Sequence, residues 1–283
     1  MALQQRKIGK LCFALAAVCG ISACSSTPPL PESNERLNAV LWMQGSAEYQ
    51  ALSLNTYAQA TKAIAPALAD KTWSAALEQI GNYTAMPPAV IVDIDETVLD
   101  NLPFQAQLIK DRKTFNQNDW EQWTQRASAK PIPGAKAFLD AAHAQGVTIF
   151  YVTNREATQE QDTRTNLLNQ KLPVRTDIDV VLMKNENGWN SSDKSSRRTH
   201  VIKNFRVIAL VGDDFGDFSS GAKGTPQDRV ELAKTYESLW GKKWFLLPNP
   251  VYGSWEAALH NNDYSLPAAE VTKRKLEQLI TIE

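Results

Sequence analysis

Length, composition and charge already restrict what this chain can be. It has 283 residues, of which 43% are hydrophobic and 22% charged, and this suits one large globular domain with a substantial core. The formal net charge is −1 at pH 7 and the sequence has no basic stripe, so binding to a nucleic-acid polymer has no electrostatic support.

The first 24 residues have the pattern of an exported protein. Three basic side chains precede an apolar run over residues 11–21, which is too short to span a bilayer. The run is followed by Ile21-Ser22-Ala23-Cys24, which resembles the lipobox of bacterial lipoproteins. We therefore expect a signal peptide over residues 1–23 and lipidation of Cys24 with acyl chains such as palmitate. Several acyl chains would hold the protein stably at a membrane. A signal peptide that merely contains a cysteine is the alternative.

The residues around the cysteine refine this expectation. Ser25 follows Cys24, and by resemblance to the sorting rules of enterobacteria a serine here indicates the outer membrane, with the leaflet left open. Cys12 and Cys19 lie in the removed segment, so the mature chain has no pair of cysteines that could form a disulfide. Residues 24–34 are rich in Ser, Pro and Thr and predict a flexible tether.

Helical spacing of apolar residues begins after the tether. It continues over residues 35–79, until Met86-Pro87-Pro88 ends the helical region and begins the first core strand. The apolar, β-branched stretch Val90-Ile91-Val92 predicts a strand that is buried on both faces.

Two acids, Asp93 and Asp95, follow this strand at once. In open α/β sheets the ligand crevice lies just beyond the carboxyl ends of the strands. There, one aspartate can attack phosphorus and form an aspartyl phosphate, while a second can protonate the leaving oxygen and later deprotonate water. An isolated Asp-X-Asp is explained equally well as a polar loop entrance, so the motif needs support from the rest of the chain.

Strands and helices alternate over the rest of the chain. Helices are predicted over about 118–128, 133–145, 156–170, 194–204 and 227–240, and strands over about 147–152, 179–183, 207–211 and 244–247. This alternation predicts an α/β fold with a Rossmann-like, doubly wound parallel sheet. We expect one domain over residues 35–283, with a catalytic core at about 86–250. Residues 35–80 and 255–283 are expected to pack together as a smaller helical subdomain.

Polar groups follow two more of these strands. Thr153-Asn154-Arg155 ends the strand at 147–152, and the acidic stretch Asp213-Asp214-Phe215-Gly216-Asp217-Phe218 follows the strand at 207–211. Lys194 lies between them in sequence, near the start of a predicted helix. This order of Asp-X-Asp, Thr, Lys and acidic loop resembles the haloacid dehalogenase superfamily of phosphohydrolases, and the resemblance implies that superfamily's fold.

The resemblance narrows to one family. The stretch from Asp93 to Leu99, followed by Asn101, is similar to the first signature of the class C acid phosphatases and 5′-nucleotidases, bacterial outer-membrane lipoproteins in many cases. Their second signature usually ends Asp-Asn/Thr-Leu-X-Asp-Phe, so Asp214 and Phe215 depart from the usual pair. Phe104 stands where tyrosine usually closes the first signature. These departures leave the reaction class unchanged and bear on substrate preference.

The resemblance implies a Mg²⁺-dependent acid phosphatase that hydrolyses phosphomonoesters through an aspartyl phosphate, with nucleoside 5′-monophosphates as candidate substrates. Asp93 would be the nucleophile, and Asp95 the general acid and base with its backbone carbonyl on the metal. Asp93 and Asp213 are the expected carboxylate ligands. Mg²⁺ prefers oxygen ligands, and no Cys or His cluster with zinc spacing competes for the site.

The remaining site residues would hold the substrate. Thr153 and Lys194, with Asn154 beside them, would bind phosphoryl oxygens. Lys184 is the alternative to Lys194, and Thr153 could instead cap a helix. Asp217 would orient Lys194 or a metal-bound water, or else serve as a turn acid.

Three aromatic residues are expected to bind the leaving group: Phe104, Trp120 and Tyr252. Stacking on such rings is worth about 1–3 kcal/mol per base in nucleic-acid sites. For Trp120 a core position explains the sequence almost as well, and for Trp123 it is the favoured interpretation. A surface lipoprotein that binds ligand but has lost turnover is the alternative function. The oligomeric state, including a homodimer, is left open.

Overall fold

The computed structural model describes residues 34–282. The signal peptide, Cys24 and almost all of the tether lie outside the described residues, so those expectations stay predictions. Among the helices that the structure describes, none is both long and apolar enough to cross a membrane. The described residues belong to one compact unit that begins at Asn34.

The described helices are α1 (Leu37–Gly45), α2 (Ala47–Ala69), α3 (Leu102–Lys110), α4 (Gln117–Gln125), α5 (Ala135–Ala144), α6 (Glu160–Asn169), α7 (Ser195–Ile202), α8 (Pro226–Thr235), α9 (Ser254–Ala258) and α10 (Ala268–Glu277). The described strands are β1 (Pro88–Val92), β2 (Leu99–Asp100), β3 (Lys130–Pro131), β4 (Thr148–Glu156), β5 (Val181–Lys184), β6 (Arg206–Gly212) and β7 (Trp244–Leu246).

Five strands form the central sheet in the order β5-β4-β1-β6-β7, and every neighbouring pair is parallel. The two short strands β2 and β3 form a separate antiparallel pair. The predicted doubly wound α/β fold is therefore confirmed. β1 is the middle strand. Its side chains from Ala89 to Val92 are all buried, at 0–4% exposure, as expected of a parallel strand that is covered on both faces.

The helical region before β1 is shorter than its sequence pattern predicts. α2 ends at Ala69, so the predicted helix over residues 70–79 is wrong. This segment instead bonds to the sheet: Trp73 Nε1 donates to the Ile208 carbonyl at 2.8 Å, and the backbone N–H of Ala75 donates to the Val207 carbonyl at 2.8 Å. Bonds to β6 replace the local helical bonds because they satisfy buried backbone groups of the sheet.

Two other boundaries differ from the prediction. β4 continues through Glu156, and a 3₁₀ turn over Ala157–Gln159 precedes α6, so only the first turn of the helix predicted over about 156–170 differs. α8 ends at Thr235 and a short 3₁₀ turn over Glu237–Leu239 replaces its predicted last turns. There the Trp240 ring packs against the Trp244 ring, with ring centres 5.1 Å apart.

The two ends of the described chain meet through ion pairs. Lys275 of α10 bonds to Glu35 at 2.7 Å and to Glu256 at 2.8 Å. α2, by contrast, packs against α5 and against β6 and β7 of the sheet. The proposed boundaries of the helical subdomain stay a prediction.

Candidate active site

Strand order brings the predicted site residues together. β1 pairs with β4 on one side and β6 on the other, and Val92 is opposite both Tyr151 and Val211. Asp93 directly follows β1, and its backbone N–H donates to the Val211 carbonyl at 2.9 Å. Thr153 in the last part of β4 and Asp213 after β6 therefore lie on either side of Asp93.

A cavity of about 790 Å³ opens at this edge of the sheet. Its lining includes both acids of the Asp-X-Asp motif, Lys194, and Asp213 and Asp217 of the acidic loop, the name we use for residues 213–218. This volume lies within the range of about 300–1,000 Å³ that is usual for small-molecule sites.

Lys194 connects two of the acids at the floor of the cavity. Its ammonium group bonds to Asp93 and, at 2.6 Å, to Asp217 Oδ1, and all three side chains are at least nine-tenths buried. Burial alone would lower the pKa of Lys194, but the charges of Asp217 and Asp93 outweigh it and raise that pKa above its ordinary value. Lys194 therefore carries its positive charge beside the predicted nucleophile.

Lys184 lies elsewhere, at the wall of the cavity, where its ammonium group pairs with Glu156 at 2.8 Å. The geometry thus favours Lys194 over Lys184 as the residue that contacts the phosphoryl group.

The acids of this cluster resist ionisation. Burial raises the pKa of Asp93 to about 7 against the opposing charge of Lys194. Burial, followed by the charges of Asp93 and Asp217, raises the pKa of Asp213 well above its usual value. Burial also raises the pKa of Asp217, again against Lys194. When all three acids are ionised, Lys194 balances only one of them, so the cluster carries a net negative charge.

The cluster has the chemistry of a cation site. Carboxylate oxygens of Asp93, Asp213 and Asp217 all lie within 4.8 Å of one another. Asp213 accepts hydrogen bonds from the neutral groups Thr97 Oγ1 at 3.1 Å and Asn249 Nδ2 at 2.7 Å. An all-oxygen set with surplus negative charge fits a hard divalent cation such as Mg²⁺. Asp217 is the third carboxylate of the cluster; its Oδ1 accepts from Lys194, the contact predicted for it, and its Oδ2 accepts from the backbone N–H of Asp214 at 3.0 Å.

Asp95 faces the same cavity but belongs to a different network. Its carboxylate accepts from Arg155 Nη2 at 2.8 Å and from Asn101 Nδ2 at 2.8 Å, while Thr153 Oγ1 approaches at 3.4 Å. Asn101 is itself held by Trp123, whose Nε1 donates to Asn101 Oδ1 at 2.8 Å. The carboxylate of Asp95 is therefore separate from the three-acid cluster, and its predicted metal contact through the backbone carbonyl stays a prediction.

A buried arginine contacts two of the residues that are predicted to bind the phosphoryl group. Arg197 of α7 bonds to the backbone carbonyl of Thr153 and, at 2.7 Å, to Asn154 Oδ1. Burial lowers the pKa of Arg197 to about 10, although the charges of Asp93 and Asp217 oppose this. Thr153 lies inside β4 and begins no helix, so the helix-cap interpretation of this residue is wrong. The exposed Asn154 lines the cavity.

The predicted aromatic residues occupy three different positions. Trp120 is only 9% exposed, yet it lines the cavity and carries the Arg155 guanidinium over its ring at 5.4 Å. Tyr252 also lines the cavity, and its hydroxyl donates a hydrogen bond to Glu96. Phe104 packs behind Trp120, with ring centres 5.2 Å apart, and the structure does not bring it to the cavity. Phe115, 52% exposed, is the ring at this rim.

Comparison with known proteins agrees with this geometry. The profile of the HAD superfamily, subfamily IIIB (Acid phosphatase), matches residues 11–255. The chain belongs to this family. The resemblance to class C acid phosphatases is thereby confirmed, and the predicted enzyme class, a phosphomonoester hydrolase, agrees with the family.

A solved structure resembles the chain over most of its length. The class C acid phosphatase from Bacillus anthracis is 30% identical, with a TM-score of 0.78 over 88% of this chain and 98% of that one. A second structure of that protein, with tungstate bound, gives 29% identity and a TM-score of 0.77 over the same shares.

Curated relatives are more distant. Acid phosphatase 1 of Solanum lycopersicum is 24% identical over 169 residues, and the Stem 28 kDa glycoprotein of Glycine max is 22% identical over 166 residues. Each alignment covers 57% of this chain and spans 57% and 58%, respectively, of the relative's own length.

The sequence did not predict several residues that contact the predicted site residues in this acid phosphatase. Arg155 and Asn101 belong to the sequence motifs, and their positions near predicted site residues are a usable signal. Arg197 and Asn249 also lie near predicted site residues, but the groups that they bind are distant in the chain, so the sequence does not indicate their roles. Glu96 is fully buried; burial, followed by the charge of Asp95, raises its pKa well above the usual value.

Proposed function

We propose that this protein is a Mg²⁺-dependent acid phosphatase that hydrolyses phosphomonoesters, including nucleoside 5′-monophosphates, through an aspartyl phosphate. The observation that carries the proposal is the contact of Lys194 with Asp93 beside Asp213 and Thr153, at the floor of an open cavity. Phosphoryl transfer requires a positioned nucleophile and positive charge that stabilises the phosphoryl oxygens. Asp93, the ammonium group of Lys194 and the neighbouring carboxylate of Asp213 bring these groups to one edge of the sheet.

The first half of the reaction uses both acids of the motif. An oxygen of Asp93 attacks phosphorus in line with the ester oxygen, the bond from phosphorus to that oxygen breaks, and Asp95 gives the leaving oxygen a proton. The products are an alcohol and a phosphoryl group on Asp93. Lys194 and the Thr153 hydroxyl bind the non-bridging oxygens and orient the group.

The second half releases phosphate. Asp95, now ionised, takes a proton from a water molecule, and the water oxygen attacks phosphorus. The bond from phosphorus to Asp93 breaks, which regenerates the carboxylate and the protonated Asp95. Arg155 and Asn101 keep Asp95 at the cavity wall through both halves.

Asp93, Asp213 and Asp217, with the backbone carbonyl of Asp95, would hold the Mg²⁺. When bound, the cation offsets the repulsion between an anionic nucleophile and an anionic ester and stabilises the charge that develops on the phosphoryl oxygens. The close approach of the three carboxylates, with oxygens within 4.8 Å of one another, supports such a role, because a cation between them would offset their mutual repulsion.

The cavity supports an ester with an aromatic leaving group. Its volume of about 790 Å³ and the rings of Trp120, Phe115 and Tyr252 leave room for a flat group beyond the phosphate. The Bacillus anthracis relative binds tungstate, a tetrahedral oxyanion like phosphate, and this supports an oxyanion site here.

The proposed place of action is supported by the sequence pattern of residues 1–34 alone. We propose export, lipidation at Cys24 and attachment to the outer membrane, where small phosphomonoesters would be the substrates. A binding protein without turnover, on the same fold, is disfavoured because the residues needed for both halves of the reaction lie together.

Phosphate release from the full-length protein in detergent tests the proposal. p-Nitrophenyl phosphate and nucleoside 5′-monophosphates are compared with Mg²⁺ and with EDTA, alongside Asp93→Asn. We expect Mg²⁺-dependent turnover that falls by about 10³-fold or more in Asp93→Asn, the usual effect of losing a nucleophile. Asp177→Asn, an exposed acid on a loop, is the matched control and should keep full activity. No turnover in a folded, Mg²⁺-loaded protein would leave the binding protein as the better explanation.

A further inference from the structure

Tyr252 lies on a loop, residues 249–254, which we call the Tyr252 loop. Residues 250–253 form no helix or strand, so their position depends on side-chain contacts. One such contact is the hydrogen bond that Asn249 Nδ2 donates to Asp213. The other end of the loop is held by Asp214, the residue that departs from the usual second signature of class C acid phosphatases.

Asp214 uses both of its oxygens for this purpose. Oδ2 accepts from the backbone N–H of Ser254 at 2.6 Å, and Oδ1 accepts from the Ser254 hydroxyl at 2.6 Å and from the backbone N–H of Gly216 at 2.7 Å. The two segments of the chain, residues 213–218 and 249–254, approach so closely that a Cβ added to Gly253 would lie 2.9 Å from Asp214 Oδ2. The loop and the acidic loop are therefore in direct contact.

The second departing residue, Phe215, supports the same contact. Arg229 of α8 lies over the Phe215 ring, with its guanidinium carbon 5.6 Å from the ring centre. The same guanidinium donates to the Ser254 hydroxyl at 2.6 Å. A cation over an aromatic face is favourable, and so is a charge-assisted hydrogen bond, so Phe215 holds Arg229 where it can orient Ser254.

We propose that Asp214, Ser254, Arg229 and Phe215 form a positioning unit that holds the Tyr252 loop against the acidic loop and thereby sets the affinity for the leaving group of the phosphoester. This inference rests on the phosphatase function proposed above. None of the four residues needs to contact the phosphoryl group for this role, because they act through the ring of Tyr252.

Asp214→Asn is the sharpest test because it keeps shape and changes one contact. The amide oxygen can still accept from Gly216 and from the Ser254 hydroxyl, but the amide nitrogen then opposes the Ser254 N–H, donor against donor. We expect KM for a nucleoside 5′-monophosphate to rise by up to about tenfold, as for the loss of one charge-assisted hydrogen bond. The kcat, and both constants for methyl phosphate, should stay unchanged.

A double-mutant cycle separates positioning from a general structural effect. In a Tyr252→Leu background, Asp214→Asn should raise KM no further, because the ring through which Asp214 acts is gone. Ser254→Ala should reproduce part of the effect, and Asp177→Asn none. Equal losses for nucleotide and methyl phosphate, or additive effects of the two substitutions, would overturn the proposal.

Hydrogen exchange provides a readout that does not depend on turnover. The Ser254 amide and its neighbours in the Tyr252 loop should exchange faster in Asp214→Asn than in the parent, while amides of β1 should not change. If the parent protein proves inactive, this result still decides whether Asp214 holds the loop. Unchanged exchange at Ser254 would overturn the proposal even in an active enzyme.

Discussion

Lys194 controls the charge balance of the site. It lies 101 residues from Asp93 and 23 from Asp217 in sequence, yet its ammonium group contacts both. Buried carboxylates tolerate ionisation only beside such a partner, because burial otherwise favours their neutral forms. The residue would thus serve stability and phosphoryl binding at once.

Lys194→Met should therefore destabilise the metal-free protein. Removing one partner leaves two buried acids without their cation, which costs about 3 kcal/mol in the free energy of unfolding. Urea unfolding in EDTA at neutral pH measures this loss. Lys184→Met is the matched control: its pair with Glu156 is more exposed, with both side chains at 27%, and should cost less than about 1 kcal/mol. Equal losses would contradict the role given to Lys194.

Local patterns predicted most of the elements but not where the chain between α2 and β1 would go. The helical spacing of apolar residues continues to residue 79, whereas in the structure Gln79 is buried and bonds to the backbone at the start of β6. Gln79 Nε2 donates to the Phe205 carbonyl at 2.7 Å, and its amide oxygen accepts from the Val207 N–H at 3.0 Å. Tertiary hydrogen bonds of this kind override a local period because buried backbone groups must be satisfied.

Gln79→Leu tests this explanation at the level of the element. The substitution keeps the volume but leaves the Phe205 carbonyl and the Val207 N–H without their partners, so the protein should lose about 1–3 kcal/mol of stability. Chemical unfolding compares it with Gln145→Leu, whose side chain is exposed and bonds only to its own helix. Similar stabilities of the two variants would show that the segment does not depend on β6.

At the scale of the whole molecule, we expect the acid cluster to make stability depend on pH and on a bound cation. The pKa of Asp93, about 7 in the folded metal-free protein, lies above its ordinary value of 3.8. The folded state therefore binds more protons than the unfolded state between these values. The contribution of this group to stability is fully present below its ordinary pKa of 3.8 and is lost as pH rises through this window, by up to about 1.4 kcal/mol per pH unit.

Melting curves from acid to neutral pH check this sign. In EDTA we expect the melting temperature to fall as pH rises from about 4 to about 7, and Asp93→Asn should flatten that fall. Saturating Mg²⁺ should raise the melting temperature most at the upper end, where the acids ionise readily and bind the cation. A melting temperature that is independent of pH in EDTA, or equal with and without Mg²⁺, would contradict the cluster's role.

The amino-acid sequence alone is enough to predict the fold class, the order of the strands along the chain and the polar residues at or near the carboxyl ends of β1, β4 and β6. It could do so because Asp93, Thr153 and Asp213 each lie within or directly after an apolar strand, and local periodicity locates such strands.

Which of these groups touch is a property of the tertiary structure. The pairing of Lys194 with Asp93 and Asp217 and the attachment of Asp95 to Arg155 depend on the sheet order β5-β4-β1-β6-β7. That order brings together residues that are far apart in the chain, and no local pattern of hydrophobicity or spacing specifies it.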